Sequence, residues 1–273
     1  MRRRLLTILL LVLCTVLRAQ RLACYPAEGE PKAAVVVCPG GSYFWLDQVG
    51  EGSLVGHWLS SQGISAYVLH YRTAGWFDYT FGTRFLFGGP RHPAMISDLQ
   101  WALQSVREEF DGPVGAMGFS AGGHLAMSAG EFFDTDFRGG ADGANLRPDF
   151  VASIYPVVSM REPCTHKRSR RGLLGEGRTG DQALRDSLSL ELHVRPDTPP
   201  VYLLRCDDDK VVDPKNSDLL DAVLTEKGVS HRYVKYSVGG HGFGADNKKF
   251  TEETARWQAD FLEWLEEINY GRH

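Results

Sequence analysis

Segment 118–124 reads Gly-Phe-Ser-Ala-Gly-Gly-His and places Ser120 two residues from Gly118 and two from Gly122. An apolar run precedes it and helix-forming residues follow, so the pattern predicts a tight turn between a strand and a helix. Such a turn crowds its neighbours, and the glycines leave the room that strand and helix need. The hydroxyl would stand at a helix N-terminus, where peptide dipoles favour developing negative charge. We therefore predict that Ser120 is a nucleophile.

A serine nucleophile needs a general base, and His241 is the candidate among nine histidines. It lies in Gly-Gly-His-Gly-Phe-Gly (239–244), directly after the last predicted strand. Four glycines around one histidine indicate a loop that bends sharply and presents the side chain, although a merely solvated loop histidine is the alternative. His124, one helical turn after Ser120, is predicted to be structural.

The histidine needs a carboxylate acceptor for its other ring nitrogen. Segment 207–214, Asp-Asp-Asp-Lys-Val-Val-Asp-Pro, lies between serine and histidine in chain order and follows a predicted strand. Its spacing to the apolar Val212 selects Asp209. Asp208 is the second choice and Asp213 the third, and an Asp-rich turn without a chemical role also fits because such turns are common.

Attack on a carbonyl also requires N–H donors for the negative oxygen that forms. Ala121 would supply one from the start of the helix. Segment 39–43, Pro-Gly-Gly-Ser-Tyr, follows the predicted strand 33–38, and its paired glycines let the backbone approach a substrate closely. Gly41 and Ser42 are the predicted donors, with an ordinary turn as the alternative.

These side chains require a scaffold, and apolar runs alternate with amphipathic ones along the chain. We predict strands at 33–38, 65–71, 113–118, 150–155, 200–206 and 231–237. Helices are predicted at 48–62, 93–110, 121–133, 214–227 and 247–268. Continuous apolar strands separated by helices indicate an α/β fold with a mainly parallel sheet covered on both faces. Nothing marks a second domain, so 21–273 is predicted to be one catalytic domain.

Two insertions interrupt the alternation. Residues 72–92 are rich in aromatic side chains and glycine, and could form a lid, a pocket wall or a loop that simply packs on the domain. Residues 157–198 are polar and loop-rich, and contain the basic run Lys-Arg-Ser-Arg-Arg (167–171). A solvated loop is the preferred interpretation of that run, with a ligand-binding patch as the alternative. Both insertions follow the carboxyl end of a strand, where ligands bind in open α/β sheets.

The first twenty residues combine a basic start, Arg-Arg-Arg (2–4), with an apolar run over 5–17. That run is too short to span a bilayer comfortably, so 1–20 is predicted to be a signal peptide and the mature protein to be secreted or periplasmic; a retained membrane anchor is the alternative.

Without the four arginines of this segment the formal charge of −4 becomes −8. Nucleic acid is therefore not an expected partner. No cysteine spacing suggests zinc, while a Cys24–Cys164 disulfide stays open.

Taken together, the oxyanion loop, Ser120, Asp209 and His241 occur in the order typical of the α/β-hydrolase superfamily. The chain resembles its esterase/lipase branch, which includes bacterial acetyl-xylan, carbohydrate-acetyl and feruloyl esterases. The resemblance covers about residues 30–268 and rests on the segments 39–43, 92–99, 118–126, 214–217 and 239–244. Many relatives have His and a third Gly where this chain has Pro39 and Ser42, and their segment corresponding to 72–89 is shorter.

The resemblance implies a serine esterase that acts through an acyl-enzyme without metal or organic cofactor. Short acyl groups, such as acetate on a plant polysaccharide, are the expected substrates. A serine peptidase of the prolyl-oligopeptidase type shares the fold and the order of the three residues, but usually carries a gating domain for which this chain has no room. A non-catalytic binding protein on the same fold is the remaining alternative.

Overall fold

The structure is a computed structural model that describes residues 22–81, 89–140 and 144–268. The predicted signal peptide, 1–20, lies outside the described residues, as do residues 82–88 of the aromatic insertion. Within the described part of the chain, no helix has the length and hydrophobicity that crossing a bilayer requires.

A seven-stranded sheet forms the centre of the described residues. Its strands are β1 (Leu22–Tyr25), β2 (Ala33–Cys38), β3 (Ile64–Leu69), β4 (Val114–Phe119), β5 (Val151–Ile154), β6 (Val201–Cys206) and β7 (His231–Tyr236). They lie in the order β1-β3-β2-β4-β5-β6-β7, and every neighbouring pair is parallel except β1 and β3. The prediction of a mainly parallel sheet is confirmed. The carboxyl ends of β2, β4, β6 and β7 therefore meet at one edge.

The described residues contain α-helices on both faces of this sheet. They are α1 (Leu54–Ser61), α2 (Trp76–Phe81), α3 (Ala94–Glu109), α4 (Ala121–Glu131), α5 (Lys167–Leu174), α6 (Gln182–Ser187), α7 (Lys215–Glu226) and α8 (Trp257–Glu267). Successive side chains of a strand point to opposite faces. Accordingly Val35 and Val37 of β2 pack in one cluster with α1 and α8, whereas Ala34 and Val36 pack in another with α3 and α4. Burial on both faces explains why the strands read as continuous apolar runs.

Besides the short helices α2 and α6 inside the two insertions, the structure differs from the predicted elements in four main places. The edge strand β1 was not predicted, because it has four residues and is only partly buried, which leaves too little pattern to detect. The helix predicted over 48–62 begins as a short π-helical stretch, Val49–Ser53, before α1. The helix predicted over 247–268 begins only at Trp257, because Asp246 and Thr251 bond to nearby backbone N–H groups and hold two 3₁₀ turns there instead.

The fourth difference concerns the basic run at 167–171, which was expected to be a solvated loop. It forms α5, whose Ser169, Leu173 and Leu174 are buried. Arg170 is only 8% exposed and donates to the carbonyl of Met160 at 3.2 Å. All five residues of the run are polar or charged, so composition alone overstated its exposure.

Four cysteines lie in the described residues, and all have free thiols. Cys38, Cys164 and Cys206 are buried, while Cys24 on β1 is exposed. The pairing of Cys24 with Cys164, which the sequence left open, is therefore not present in the structure.

His124 is structural, as its position predicted. It is 1% exposed, its Nε2–H donates to the carbonyl of Leu188 at 2.9 Å, and its Nδ1 accepts from the hydroxyl of Tyr43 at 2.7 Å. Burial lowers the pKa of His124 from 6.5 to about 4. The folded protein therefore keeps this ring neutral at a pH where the unfolded chain protonates it.

We expect this ring to make stability depend on pH. Because the pKa is lower in the folded state, the free energy of unfolding has its full value above pH 6.5. It decreases as the pH drops towards 4, by about 3 kcal/mol for this single group. Urea unfolding of the native protein and of His124→Gln should show a shallower pH slope in the variant. His57→Gln, at an exposed position on α1, is the control and should keep the native slope. An unchanged slope in His124→Gln would contradict the assignment.

Candidate active site

Ser120 occupies the turn between β4 and α4 and has φ of 55°. This is the left-handed region, which is costly for a residue with a side chain. A Cβ on Gly118 would lie 1.9 Å from the carbonyl oxygen of Gly122, and one on Gly122 would lie 2.0 Å from that of Cys38. The two glycines are therefore required by the close contact of α4 with β4 and with the end of β2.

The structure brings Ser120, His241 and Asp209 together. The Ser120 Oγ lies 2.8 Å from Nε2 of His241, and Nδ1 of the same ring lies 2.6 Å from Oδ2 of Asp209. A carboxylate only accepts hydrogen bonds, so Nδ1 carries the proton and Nε2 accepts from the serine hydroxyl. The Asp209 side chain is 3% exposed and the His241 side chain 12%, which keeps most water from these bonds.

The three candidate carboxylates of the acidic segment after β6 have different hydrogen-bond partners. Oδ1 of Asp209 accepts from the N–H groups of Val211 and Val212 at 2.8 and 3.0 Å, which orients the other oxygen towards His241. Asp208 instead accepts from the N–H groups of Gly239 and Gly240, at 2.9 and 2.7 Å. It thus supports the backbone of the histidine loop. Asp213, the third candidate, accepts from Lys215 N at 3.0 Å at the start of α7 and makes no contact with the His241 ring.

The loop after β2 lines the same pocket as Ser120, with Gly41 and Ser42 both at its wall. Neither residue donates its N–H to a described residue, and Ala121, as the first residue of α4, has no acceptor within its helix. A side chain at Gly41 would lie 2.1 Å from the carbonyl oxygen of Trp45, so only glycine fits there. The three predicted N–H donors thus have no acceptor among the described residues.

Ser42 stands where many relatives have glycine, and its φ of 56° is a conformation that glycine adopts more easily. Its side chain offers a compensating contact, because the Ser42 hydroxyl accepts from Nε of Arg168 at 3.0 Å. Arg168 also lies over the ring of Trp45, 5.5 Å from its centroid. The basic run therefore contributes a residue to this pocket, contrary to the preferred interpretation of the run as a solvated loop.

Two further residues that sequence reasoning missed connect the loops around the pocket. Glu51 is 3% exposed and accepts from Gly40 N at 2.7 Å and from the Tyr155 hydroxyl at 2.9 Å. That hydroxyl in turn accepts from Gly244 N at 2.9 Å, and the Tyr155 ring lies 4.8 Å from the His241 ring. One chain of hydrogen bonds thus joins the oxyanion loop to the histidine loop.

Burial raises the pKa of Glu51, while the charge of His241 and the two donated hydrogen bonds act against this rise. The carboxylate lies in a short π-helical stretch flanked by Gly50 and Gly52, where no sequence pattern marks it as functional. Only the fold reveals that its neighbours are the two loops.

The pocket beside Ser120 has a volume of about 150 Å³, below the range for sites that hold drug-sized ligands. It suits a small acyl group. Within the described residues, no group of three or more His, Cys, Asp or Glu side chains is placed to hold a metal ion.

Comparison with known proteins gives a consistent result. The BD-FAE family model matches residues 25–224. The chain is 29% identical over 232 residues to an acetylxylan esterase of Xylanibacter ruminicola, covering 82% of this chain and 44% of that protein. It is 31% identical over 224 residues to endo-1,4-beta-xylanase B of Butyrivibrio fibrisolvens, covering 79% of this chain and 33% of that protein. The chain thus spans less than half the length of these curated relatives.

A solved structure is also similar. An acetyl ester-xyloside bifunctional hydrolase from Caldicellulosiruptor lactoaceticus superposes with a TM-score of 0.78 at 32% identity, covering 91% of this chain and 88% of the other. The similarity therefore includes residues beyond the range that the family model matches.

We expect Glu51→Gln to slow covalent labelling of Ser120 by a fluorophosphonate about tenfold, which corresponds to a barrier about 1.4 kcal/mol higher. The amide keeps one acceptor oxygen but presents an NH2 group to the other of the two donors, so either the oxyanion loop or Tyr155 must shift. Labelling is followed by mass spectrometry.

Asp149→Asn is the matched control, since the Asp149 carboxylate likewise accepts from a backbone N–H and a side chain, those of Val114 and Arg107, but at the opposite end of β4 from Ser120. The control should label at the native rate. Equal rates for the native protein and Glu51→Gln would show that Glu51 does not position the site.

Proposed function

The chain belongs to the BD-FAE family, and on this basis we propose that it hydrolyses carboxylic esters through an acyl-enzyme on Ser120. The observation that carries the proposal is the pair of contacts at His241, 2.8 Å to the serine oxygen and 2.6 Å to Asp209. These are the contacts that a serine nucleophile, its base and the orienting carboxylate require.

In the first step Ser120 attacks the ester carbonyl while Nε2 of His241 takes the hydroxyl proton. Asp209 holds the ring through Nδ1–H and stabilises the imidazolium that forms, without taking the proton itself. The N–H groups of Gly41, Ser42 and Ala121 stabilise the negative oxygen, and the loss of one such donor typically costs about 2.7–4 kcal/mol. As the intermediate collapses, His241 protonates the departing alcohol and leaves Ser120 acylated.

In the second step water replaces the alcohol. His241, neutral again, takes a proton from the water as it attacks the acyl carbon, and the same N–H groups stabilise the oxygen. Collapse breaks the bond to Ser120, whose oxygen takes the proton back from Nε2. The acid leaves and the free serine is restored.

For the substrate we propose short acyl esters, such as acetate, on carbohydrate. The pocket of about 150 Å³ favours a small acyl group, and similar proteins are named for acetylxylan and acetyl ester hydrolysis. Export of the chain, as residues 1–20 predict, would place it where plant polysaccharides are found.

The direct test labels the folded protein with a fluorophosphonate and measures turnover of p-nitrophenyl acetate, longer acyl esters and a prolyl amide. We expect labelling at Ser120 and fastest turnover of the acetate ester. Ser120→Ala should abolish both while the melting temperature changes little. Faster turnover of the amide would favour the peptidase instead, and an unlabelled Ser120 would favour a binding protein.

The neighbouring carboxylates Asp208 and Asp209 provide a matched pair for the mechanism. Asp209→Asn should lower kcat on the order of 10³- to 10⁴-fold with little change in KM, because the amide favours the wrong ring tautomer. Asp208→Asn keeps the ring contact and retains one acceptor oxygen for Gly239 and Gly240, losing only the negative charge there, so its kcat should fall far less. The proposed role of Asp209 is wrong if the two variants lose similar activity in steady-state assays.

A further inference from the structure

A second, larger cleft of about 730 Å³ adjoins the pocket of Ser120. Arg168 lines both, and through its hydrogen bond to the Ser42 hydroxyl it is in direct contact with the oxyanion loop. The cleft lies between α2 and α5, so its walls come from the two insertions that interrupt the α/β alternation. Nothing in the proposed mechanism uses it.

The walls of this cleft differ in chemistry from the rest of the protein. The lining residues include four cationic side chains, Lys167, Arg168, Arg170 and Arg171, and one carboxylate, Glu176, in a chain whose formal charge is −4. Positive charge is therefore concentrated beside the pocket of Ser120 although the net charge of the chain is negative. A cleft of one charge sign raises the local concentration of ligands of the opposite sign.

Much of this charge is not neutralised by the described residues. Lys167 is exposed and makes no ion pair with them, and Arg168 bonds to them only through Nε, which leaves its terminal nitrogens available. Arg170 pairs with Glu162 at 3.3 Å, whereas Arg171 lies 3.7 Å from Glu176. Lys167 and the end of Arg168 are thus the cations best placed to meet a ligand.

Aromatic rings hold the arginines in place and extend the cleft outwards. Arg171 lies over Phe44 and Tyr79, with its guanidinium carbon 4.9 and 5.4 Å from the ring centroids. Such stacking orients a guanidinium without consuming its hydrogen bonds. Trp76 is 63% exposed and packs 5.2 Å from Tyr79, so it offers a flat apolar surface at the rim. Exposed aromatic surface rimmed by polar groups is typical of a binding site.

We propose that this cleft binds a carboxylate on the carbohydrate that bears the ester, that is, a hexuronic acid residue next to the acylated sugar. This inference rests on the proposed esterase function. The planar guanidinium of Arg168 matches a carboxylate in geometry, Lys167 adds a second charge, and the Trp76 ring packs against the sugar. Because Arg168 also contacts Ser42, the carboxylate is held within about one sugar of the reacting carbonyl.

The experiment compares acetylated xylo-oligosaccharides of equal length with and without a hexuronic acid. We expect kcat/KM to be about tenfold higher for the acidic substrate, as one charge-assisted hydrogen bond supplies, and this preference to shrink in high salt. Lys167→Gln combined with Arg171→Gln removes two of the four cations of the cleft and should reduce the preference well below tenfold. Lys227→Gln combined with Lys32→Gln, the same loss of two charges at exposed positions outside the cleft, should retain it. Turnover of p-nitrophenyl acetate should be equal in all of these proteins.

Equal kcat/KM for the two substrates in the native protein, or a preference that is undiminished in the double variant, would overturn the proposal. If the double variant does not fold, Lys167→Gln alone tests the same point at an exposed position. A binding arm separates this inference from the esterase itself: calorimetry on Ser120→Ala with the deacetylated acidic oligosaccharide needs no turnover. Tight binding there without any esterase activity would reject only the proposed function, while equal affinity for a sulfated oligosaccharide would reject the carboxylate assignment.

Discussion

The close contact between the start of α4 and the end of β2 is the constraint on which the rest of the site depends. At Gly122 there is no space for a side chain, because the carbonyl of Cys38 lies where a Cβ would be. This contact places the oxyanion loop, which follows β2 directly, against the turn that carries Ser120. The proposed nucleophile and N–H donors therefore follow two strands that the sheet already holds in register. The distance between them is set by backbone packing, not by flexible side chains.

Unfavourable backbone conformations gather around the same place. Among the described residues, the non-glycine positions with φ in the left-handed region are Ser42, Tyr43, Ser120 and Tyr155. Each costs on the order of 1–3 kcal/mol and persists only where its surroundings hold it. The hydrogen bonds of Glu51 and the buried ring of Tyr155 provide such surroundings. The free energy gained by burying the large core on both faces of the sheet offsets this local cost, as is common at the functional sites of folded domains.

The sequence was most informative where chemistry and backbone impose the same requirement. Ser120 and His241 are flanked by glycines, so their loops could be recognised, and the spacing to Val212 distinguished Asp209 from two neighbouring carboxylates. Glu51 could not be recognised, because its partners are 11 and 104 residues away in the chain and are brought together only by the fold. The basic helix α5 was misjudged for a related reason. Its polar composition is that of a loop, while its burial comes from tertiary contacts that a local pattern does not contain.

The last helix has a consequence for how this domain can be moved between proteins. The range that the family model matches ends at residue 224, yet His241 and the α8 side chains Trp257, Phe261 and Trp264, which complete one face of the core, all follow it. The folded core and the candidate active site therefore both require residues that follow the matched range. A fusion or transplantation that takes only the matched segment would separate the proposed nucleophile from its proposed base and expose the apolar face of the sheet that these three side chains cover. A transplanted segment therefore has to extend at least through α8.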